Sequence, residues 1–145
     1  MSRRPPSPDE GAPPFLSGAR RAAPPGRLMN ARTGQPVANA AELATTSASR
    51  RRGLLGRDGL DPGAALVIAP CNSIHTFFMR FAIDVVFVDR KGHVRKIVRA
   101  LRPWRIAAAM FAFAVVEFGA GSLDGCDIAR GDRLYVEIAE PPSPS

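Results

Sequence analysis

The sequence predicts a mainly β fold of the α+β class: a compact, antiparallel, barrel-like sheet with one or two short helices. Its apolar segments are short and rich in β-branched and aromatic residues, as strands are. Clusters of glycine, asparagine, aspartate and proline separate these segments at the spacing of turns. No long amphipathic helix alternates with the predicted strands, and this argues against a doubly wound parallel sheet.

The first half of the predicted domain begins with a hairpin. Residues 27–38, "RLMNARTGQPVA", place apolar segments on either side of a turn that contains asparagine and glycine. In the next segment, "TTSASRRRGLLGR", Thr46 or Ser47 can cap a short helix, and Gly53 or Gly56 can end it. After the turn "DGLDPG", the apolar stretch "AALVIAP" predicts a buried strand.

The second half contains the strongest strand prediction, Phe81–Asp89, which is β-branched and aromatic almost throughout. The turn "DRKG" joins it to "HVRKIVRAL" as a hairpin. A strand over "FAFAVVEF", a short helical turn around Ser122–Cys126 and a final strand in "RGDRLYVEIAE" complete the domain. Strict alternation along "VRKIVRAL" predicts two opposite sides, one with Val94, Lys96, Val98 and Ala100 and the other with Arg95, Ile97, Arg99 and Leu101.

The two ends of the chain differ in composition from its middle. The chain has 145 residues, the length of one domain. Its first 26 residues are rich in proline and arginine and poor in large apolar side chains, so they bury too little surface to offset the entropy of ordering. We therefore predict a disordered arm over residues 1–26, a single β domain over 27–140 and a disordered tail over 141–145.

Targeting signals are not apparent in the sequence. The basic start is not followed by the apolar region of a secretion signal, and no stretch approaches the roughly 18 apolar residues of a membrane-spanning helix. We therefore expect a cytoplasmic protein without a membrane span.

Positive charge is concentrated in two places. The formal net charge is +7, and residues 94–106 include no acidic residue. Arg50, Arg51 and Arg52 form a second cluster. Such patches can contact an anionic group. The candidate anion-contacting residues are Arg95, Lys96, Arg99, Arg102 and Arg105. Trp104 is the single aromatic residue within the longer patch, so we place weak, non-specific nucleic-acid binding below the other interpretations.

Several sequence blocks occur in an order that indicates a family. "RGLLGR" is followed by "PCNSIHTFFMRFAIDVVFVD" and, late in the chain, by "GDRL". With these blocks, the stretch from Leu28 to Val136 resembles the bacterial and archaeal domain-of-unknown-function family 192 (DUF192). The resemblance implies a small, mainly β domain with a barrel-like sheet, and it implies no established biochemical activity. The chain departs from the family pattern at Ala109, where relatives often have a cysteine, and at Ala82, where a proline is usual.

The block "PCNSIHTFF" contains residue types that catalyse reactions or bind metals. Cys71, His75 and, on the following strand, Asp84 could form a nucleophilic triad. Residues at i and i+4 face each other on a helix, but Pro70 and the strand that follows predict a loop or an irregular start of a strand. With two cysteines and two histidines, the chain lacks the spacing of a structural zinc site, so we predict no metal and no cofactor.

Asp84 lies on a predicted strand with two apolar faces, so its carboxylate should be buried and should need hydrogen-bond donors. Three interpretations follow, in decreasing order of preference: Asp84 ties the preceding loop to the sheet, the polar groups line a ligand pocket, or they form a catalytic site. The candidate residues for ligand binding or loop anchoring are Cys71, Asn72, His75, Arg80 and Asp84.

Two classes of function remain open from the sequence. The favoured one is a binding or accessory module for a small molecule or a peptide. The alternative is an enzyme that uses Cys71, His75 and Asp84.

Overall fold

The computed structural model describes Phe15 and residues 26–137. The predicted tail and, apart from Phe15 and Gly26, the predicted arm lie outside the described residues. Within this part of the chain there are nine strands and one α-helix: β1 Gly26–Asn30, β2 Pro36–Ala44, α1 Ser47–Arg52, β3 Ala64–Ile68, β4 Ser73–His75, β5 Ile83–Val88, β6 Val94–Leu101, β7 Ile106–Ala108, β8 Ala114–Gly119 and β9 Leu134–Glu137.

Seven strands form one sheet in the order β6-β5-β8-β3-β2-β1-β9, and β4 and β7 form a separate two-stranded ribbon. The mainly β prediction is therefore confirmed. The sheet is mixed, because β2 and β3 run parallel on either side of the connection that contains α1. It is also not a closed barrel, since the edge strands β6 and β9 are not paired with each other, and an isolated bridge joins His93 and Arg133, the residues that precede them.

Helix α1 has the caps that its sequence predicts. The Thr46 hydroxyl accepts a hydrogen bond from the Ser49 N–H at 3.0 Å, and the helix ends at Gly53, whose φ is +46°. The second predicted helix, around Ser122–Cys126, is wrong, because this segment forms consecutive turns. Two of the N–H groups in these turns, those of Gly121 and Leu123, donate to the side chain of Asp84 instead of to helical carbonyls.

Strand β6 contains two irregularities that shift its alternation. Val98 pairs with Val85, but Leu101 pairs with Ile83, so an extra residue is inserted between these pairs. Ala100, within this bulge, has a φ of +51°. The prediction that the side chains of β6 alternate strictly between two faces is therefore wrong in part.

The core consists of two clusters on opposite faces of the large sheet. Val86 and Val88 of β5 belong to the first, which we call the Phe118 cluster. Val85 and Phe87 belong to the second, the Phe87 cluster. The Phe118 cluster also includes residues of β1, β2 and β9. The Phe87 cluster is covered by side chains from the segment after α1, from the β4–β7 ribbon and from the loop after β4, namely Leu54, Ile74, Ala107 and Met79.

Phe15 contributes to the Phe118 cluster although it precedes the predicted domain boundary at Arg27. Its side chain is 1% exposed, and its carbonyl oxygen accepts a hydrogen bond from the Val136 N–H at 3.2 Å. At this residue the chain packs as part of the domain.

Candidate functional site

The Cys71–His75 stretch is extended, as its sequence predicts. The Cys71 N–H donates to the Phe113 carbonyl at 2.8 Å, and β4 then pairs with β7 so that His75 lies opposite Ile106. Because successive side chains of a strand point to opposite faces, Ile74 packs in the Phe87 cluster, whereas Ser73 and His75 are exposed. Cys71 and His75 are therefore not held face to face, and no hydrogen bond joins them.

The loop that follows β4 is fastened by Thr76, a residue that sequence reasoning missed. Its side chain is fully buried, and its hydroxyl donates to the Arg102 carbonyl at 2.6 Å and accepts from the Arg105 N–H at 2.8 Å. Its own carbonyl accepts from the N–H groups of Met79 and Trp104. Thr76 thus joins the segments 76–79 and 102–105.

Asp84 is an anchor, but for other segments than the one predicted. It is fully buried, and its Oδ1 accepts from the Ala100 N–H at 2.9 Å. Its Oδ2 accepts from the N–H groups of Gly121 and Leu123, both at 3.1 Å. The prediction that Asp84 holds the Cys71–His75 loop is therefore wrong. The reason is alternation on β5, which turns Asp84 with Val86 and Val88 away from the face that the loop covers.

The other predicted site residues are dispersed. Arg80 forms an exposed ion pair with Asp58 at 2.7 Å. Asn72 accepts a hydrogen bond from the Ala109 N–H through its main-chain oxygen at 3.1 Å, and its side chain is exposed. Of the five candidates, Cys71 and His75 line the pocket described next, whereas Asn72, Arg80 and Asp84 do not.

A pocket of about 490 Å³ opens beside α1 on the side of the Phe87 cluster. We call it the Glu117 pocket. Its apolar walls include Leu54, Ile68, Ile74 and Met79, and its lining also contains three arginines, Arg50, Arg51 and Arg52. Arg50 is held by main-chain and side-chain acceptors, among them the Pro70 carbonyl at 3.1 Å. The pocket thus combines apolar walls with a few polar groups, as small-molecule sites do.

Glu117 is the most unusual residue of this pocket. It lies on β8 between Leu66 of β3 and Val85 of β5, and it is 4% exposed. No described residue donates a hydrogen bond to its carboxyl oxygens. Burial raises its pKa to about 7, and the positive charge of Arg57 opposes this shift only in part. A buried carboxyl group that lacks donors and lines a pocket is a mark of a functional site.

Glu117 was not among the residues singled out in the sequence. The signal was a lone acidic residue within the apolar strand "FAFAVVEF", the same signal that identified Asp84. Both carboxyls are buried, but three main-chain N–H groups satisfy Asp84, whereas Glu117 faces a pocket.

Cys71 lines the same pocket as a protonated thiol. Burial raises its pKa, and the nearby charge of Glu117 acts in the same direction, whereas the hydrogen bond with Ser73 and the charge of Arg50 lower the pKa in part. The thiol donates to the Ser73 carbonyl at 3.0 Å. Cys71 and Cys126 are both free cysteines. A thiol in this environment is a poor nucleophile, because the thiolate is the reactive form.

A second cleft, of about 800 Å³, lies on the other side of Cys71. Its lining includes Asn72, Arg90, Arg95 and Phe113. The Arg90 guanidinium stacks over the Phe113 ring at 4.7 Å, and Arg95 pairs with Asp89 at 3.0 Å. Because these charged groups already have partners within the protein, this cleft is a weaker candidate site than the Glu117 pocket.

The predicted basic patch does not form a uniform cationic surface. Besides Arg95, two of its members bind groups of the protein: Lys96 donates to the Ala108 carbonyl at 2.9 Å, and Arg99 lies 3.5 Å from Asp124. Arg102 and Arg105 are exposed, and neither guanidinium forms an ion pair with a described residue.

Among the residues that the structure describes, no group of three or more histidine, cysteine, aspartate or glutamate side chains is placed to hold a metal ion. The described part of the chain also has no helix that is long and apolar enough to cross a membrane.

Comparison with known proteins agrees with the fold and with the resemblance seen in the sequence. The model of the DUF192 family, described as "Uncharacterized ACR", matches residues 28–136. A UPF0127 protein of Thermococcus sibiricus is 32% identical over 119 residues, which cover 78% of this chain and 76% of that protein.

Two crystal structures share the fold. One is a protein of Sinorhizobium meliloti described as a "putative transcription regulator", with a TM-score of 0.68, 21% identity, and coverage of 81% of this chain and 98% of that one. The other is a protein of unknown function from Novosphingobium aromaticivorans, with a TM-score of 0.64, 19% identity, and coverage of 91% and 99%. Since the family model spans most of the chain and its blocks occur in order, the chain belongs to the DUF192 family.

Proposed function

We propose that this domain is a binding module that holds a small molecule or a peptide segment in the Glu117 pocket. The observation that carries the proposal is the carboxyl group of Glu117, which is buried, lacks a hydrogen-bond donor among the described residues and lines an open pocket. Because no fully buried side-chain oxygen of the described residues lacks a partner, the Glu117 oxygens reach the pocket, where a donor on a ligand can pair with them.

The pocket also indicates the chemistry of its ligand. Leu54, Ile74 and Met79 offer apolar walls, so the body of the ligand should be apolar. An N–H or O–H group on the ligand would donate to Glu117. Arg51 and Arg52 are exposed and form no ion pair with a described residue, so an anionic group would be favoured beside them.

Binding can be tested by adding small amides, amines and phenols that carry an apolar group. The NMR chemical shifts of the pocket methyl groups report whether each compound binds there. Ligands that shift the methyl signals of Leu54 and Met79 should bind the Glu117→Gln variant about tenfold or more weakly than the parent. The reason is that this substitution removes the negative charge of the acceptor. Glu137→Gln makes the same change at a partly exposed position and serves as the matched control. Ligands that bind both variants equally, or that perturb other regions alone, would contradict the proposal.

The enzyme alternative makes an opposite prediction for Cys71. In a Cys126→Ser variant, Cys71 is the single remaining thiol. Because its pKa is raised, we expect it to react with iodoacetamide near neutral pH more slowly in the folded protein than in the denatured protein. Faster alkylation in the folded state would show an activated thiolate and would favour the enzyme.

A further inference from the structure

Large apolar side chains are exposed at one end of the β4–β7 ribbon. Phe78 is 73% exposed, Trp104 55% and Ile106 68%. The rings of Phe78 and Trp104 are in contact, with centroids 4.7 Å apart, and Phe77 stacks against Trp104 at 5.7 Å. We call Phe77, Phe78, Trp104 and Ile106 the aromatic tip. Contiguous exposed apolar groups of this kind mark a surface that contacts an apolar partner.

The backbone holds these rings outward at a cost. Phe78 has a φ of +64° and Trp104 a φ of +65°, a conformation that is rare for bulky side chains. Among the described residues, three of the four non-glycine residues with positive φ are exposed aromatic residues, the third being Phe111. Strain of this kind is found at functional sites, where the surrounding structure maintains it.

Buried Thr76 maintains the tip. Its carbonyl oxygen accepts from the Trp104 N–H at 3.0 Å, and its hydroxyl bonds to the main chain on both sides of that residue. The segments that present Phe78 and Trp104 are therefore fixed to each other before any partner arrives, which lowers the entropy cost of docking.

Positive charge lies beside the tip. Arg102 and Arg105 flank Trp104 in the chain, and neither is paired with a described carboxylate. The Arg105 guanidinium is bonded to the neighbouring Trp104 carbonyl at 3.3 Å. An anionic partner surface would therefore be attracted to this end of the ribbon, and the net charge of +7 acts in the same direction.

We propose that the aromatic tip docks on an anionic lipid surface, with the rings of Phe78 and Trp104 among the headgroups and Arg102 and Arg105 on the lipid phosphates. Aromatic side chains with a polar neighbour favour the membrane interface, and nearby arginines add attraction to anionic lipids.

Two other partners fit the surface less well. A symmetric dimer through the tip would bring the arginines of two copies together and oppose association. A single-stranded nucleic acid would need free ring faces, but Phe77 and Trp104 already stack on each other, and Ile106 has no ring. The turn after β7 adds the exposed Met110 and Phe111 at the other end of a ribbon about 10 Å long.

Trp104 is the single tryptophan of the chain, so its fluorescence reports directly on the tip. The full chain would be mixed with vesicles of phosphatidylcholine containing phosphatidylglycerol, or of phosphatidylcholine alone. We expect a blue shift of emission with the anionic vesicles, quenching by brominated acyl chains, and weakening of both as salt is raised. No shift and no quenching with anionic vesicles would overturn the proposal.

Variants separate the contribution of the aromatic rings to vesicle binding from that of the arginines. Phe78→Asn, which tolerates positive φ, should lower partitioning onto anionic vesicles about tenfold by removing an inserted ring. Arg102→Gln with Arg105→Gln should reduce the preference for anionic over neutral vesicles. Lys91→Gln with Arg130→Gln removes the same charge at exposed positions outside the tip and should have a much smaller effect; an equal loss in this control would contradict a role for the tip. Trp104 quenching by an oligothymidylate without vesicle binding would assign the surface to nucleic acid, and a concentration-dependent dimer that buries Trp104 would assign it to self-association.

Discussion

Replacement of Asp84 by alanine should lower the free energy of unfolding by about 3 kcal/mol. The side chain is fully buried and accepts hydrogen bonds from the N–H groups of Ala100, Gly121 and Leu123. Its removal deprives these three donors of their acceptor, the buried N–H of Leu123 among them, and frees the β6 bulge and the turn after β8 together. Chemical denaturation at neutral pH measures this loss.

Asp84→Asn should be less damaging, because the amide keeps the shape and one acceptor oxygen. It still turns an NH₂ group toward at least one main-chain donor, so part of the loss should remain. Asp58→Ala removes an exposed carboxylate that pairs with Arg80 and should change stability little. If Asp84→Ala unfolds at the same denaturant concentration as the parent, the role of Asp84 as an anchor is wrong.

The second large effect concerns Glu117 and depends on pH. Its pKa is about 7 in the folded protein, against an ordinary value of 4.5. Below about pH 4.5 the group is protonated in both states, so its contribution to stability is fully present. As the pH rises, the unfolded chain releases the proton first, and stability is lost until the pH passes the folded pKa near 7. The total loss should be about 3 kcal/mol.

Glu117→Gln should remove this slope, because the amide does not titrate. Relative to the parent, the variant should gain about 3 kcal/mol between pH 4.5 and pH 8, and it should be the more stable protein at pH 8. Denaturation curves at several pH values measure the difference, with Glu137→Gln as a control for the same atomic change at the surface. Parallel curves for the parent and Glu117→Gln would show that Glu117 is satisfied in the folded state.

Asp84 and Glu117 are both buried, but they differ in the hydrogen-bond donors that the protein supplies to them. Asp84 has its donors within the protein, so its removal should destabilise the fold. Glu117 has none among the described residues, so ionising it costs stability and neutralising it should restore stability. A residue that lowers stability in the free protein and lines a pocket is what the proposed binding role of the Glu117 pocket predicts.

The sequence by itself determined the elements whose signals are local. Helix α1 lies between Thr46 and Gly53 because capping acts within one turn, and β5 lies within Phe81–Asp89 because β-branched and aromatic residues favour extended chain. The first hairpin follows from its turn residues in the same way. The family resemblance over Leu28–Val136 also rested on consecutive blocks and was confirmed.

Only the tertiary structure decided which distant groups meet. The donors to Asp84 lie 16, 37 and 39 residues along the chain, so no local pattern could select them over the neighbouring loop. The same holds for the parallel pairing of β2 with β3 and for the three-residue strands of the ribbon, which are too short to show a period. Glu117 and Asp84 look alike in sequence and lie on neighbouring strands, and they differ because they point to opposite faces of the sheet, one toward a pocket and the other toward the turn after β8. Strand order results from packing summed over the whole sheet, and a buried polar group takes its role from the neighbours that this packing brings to it.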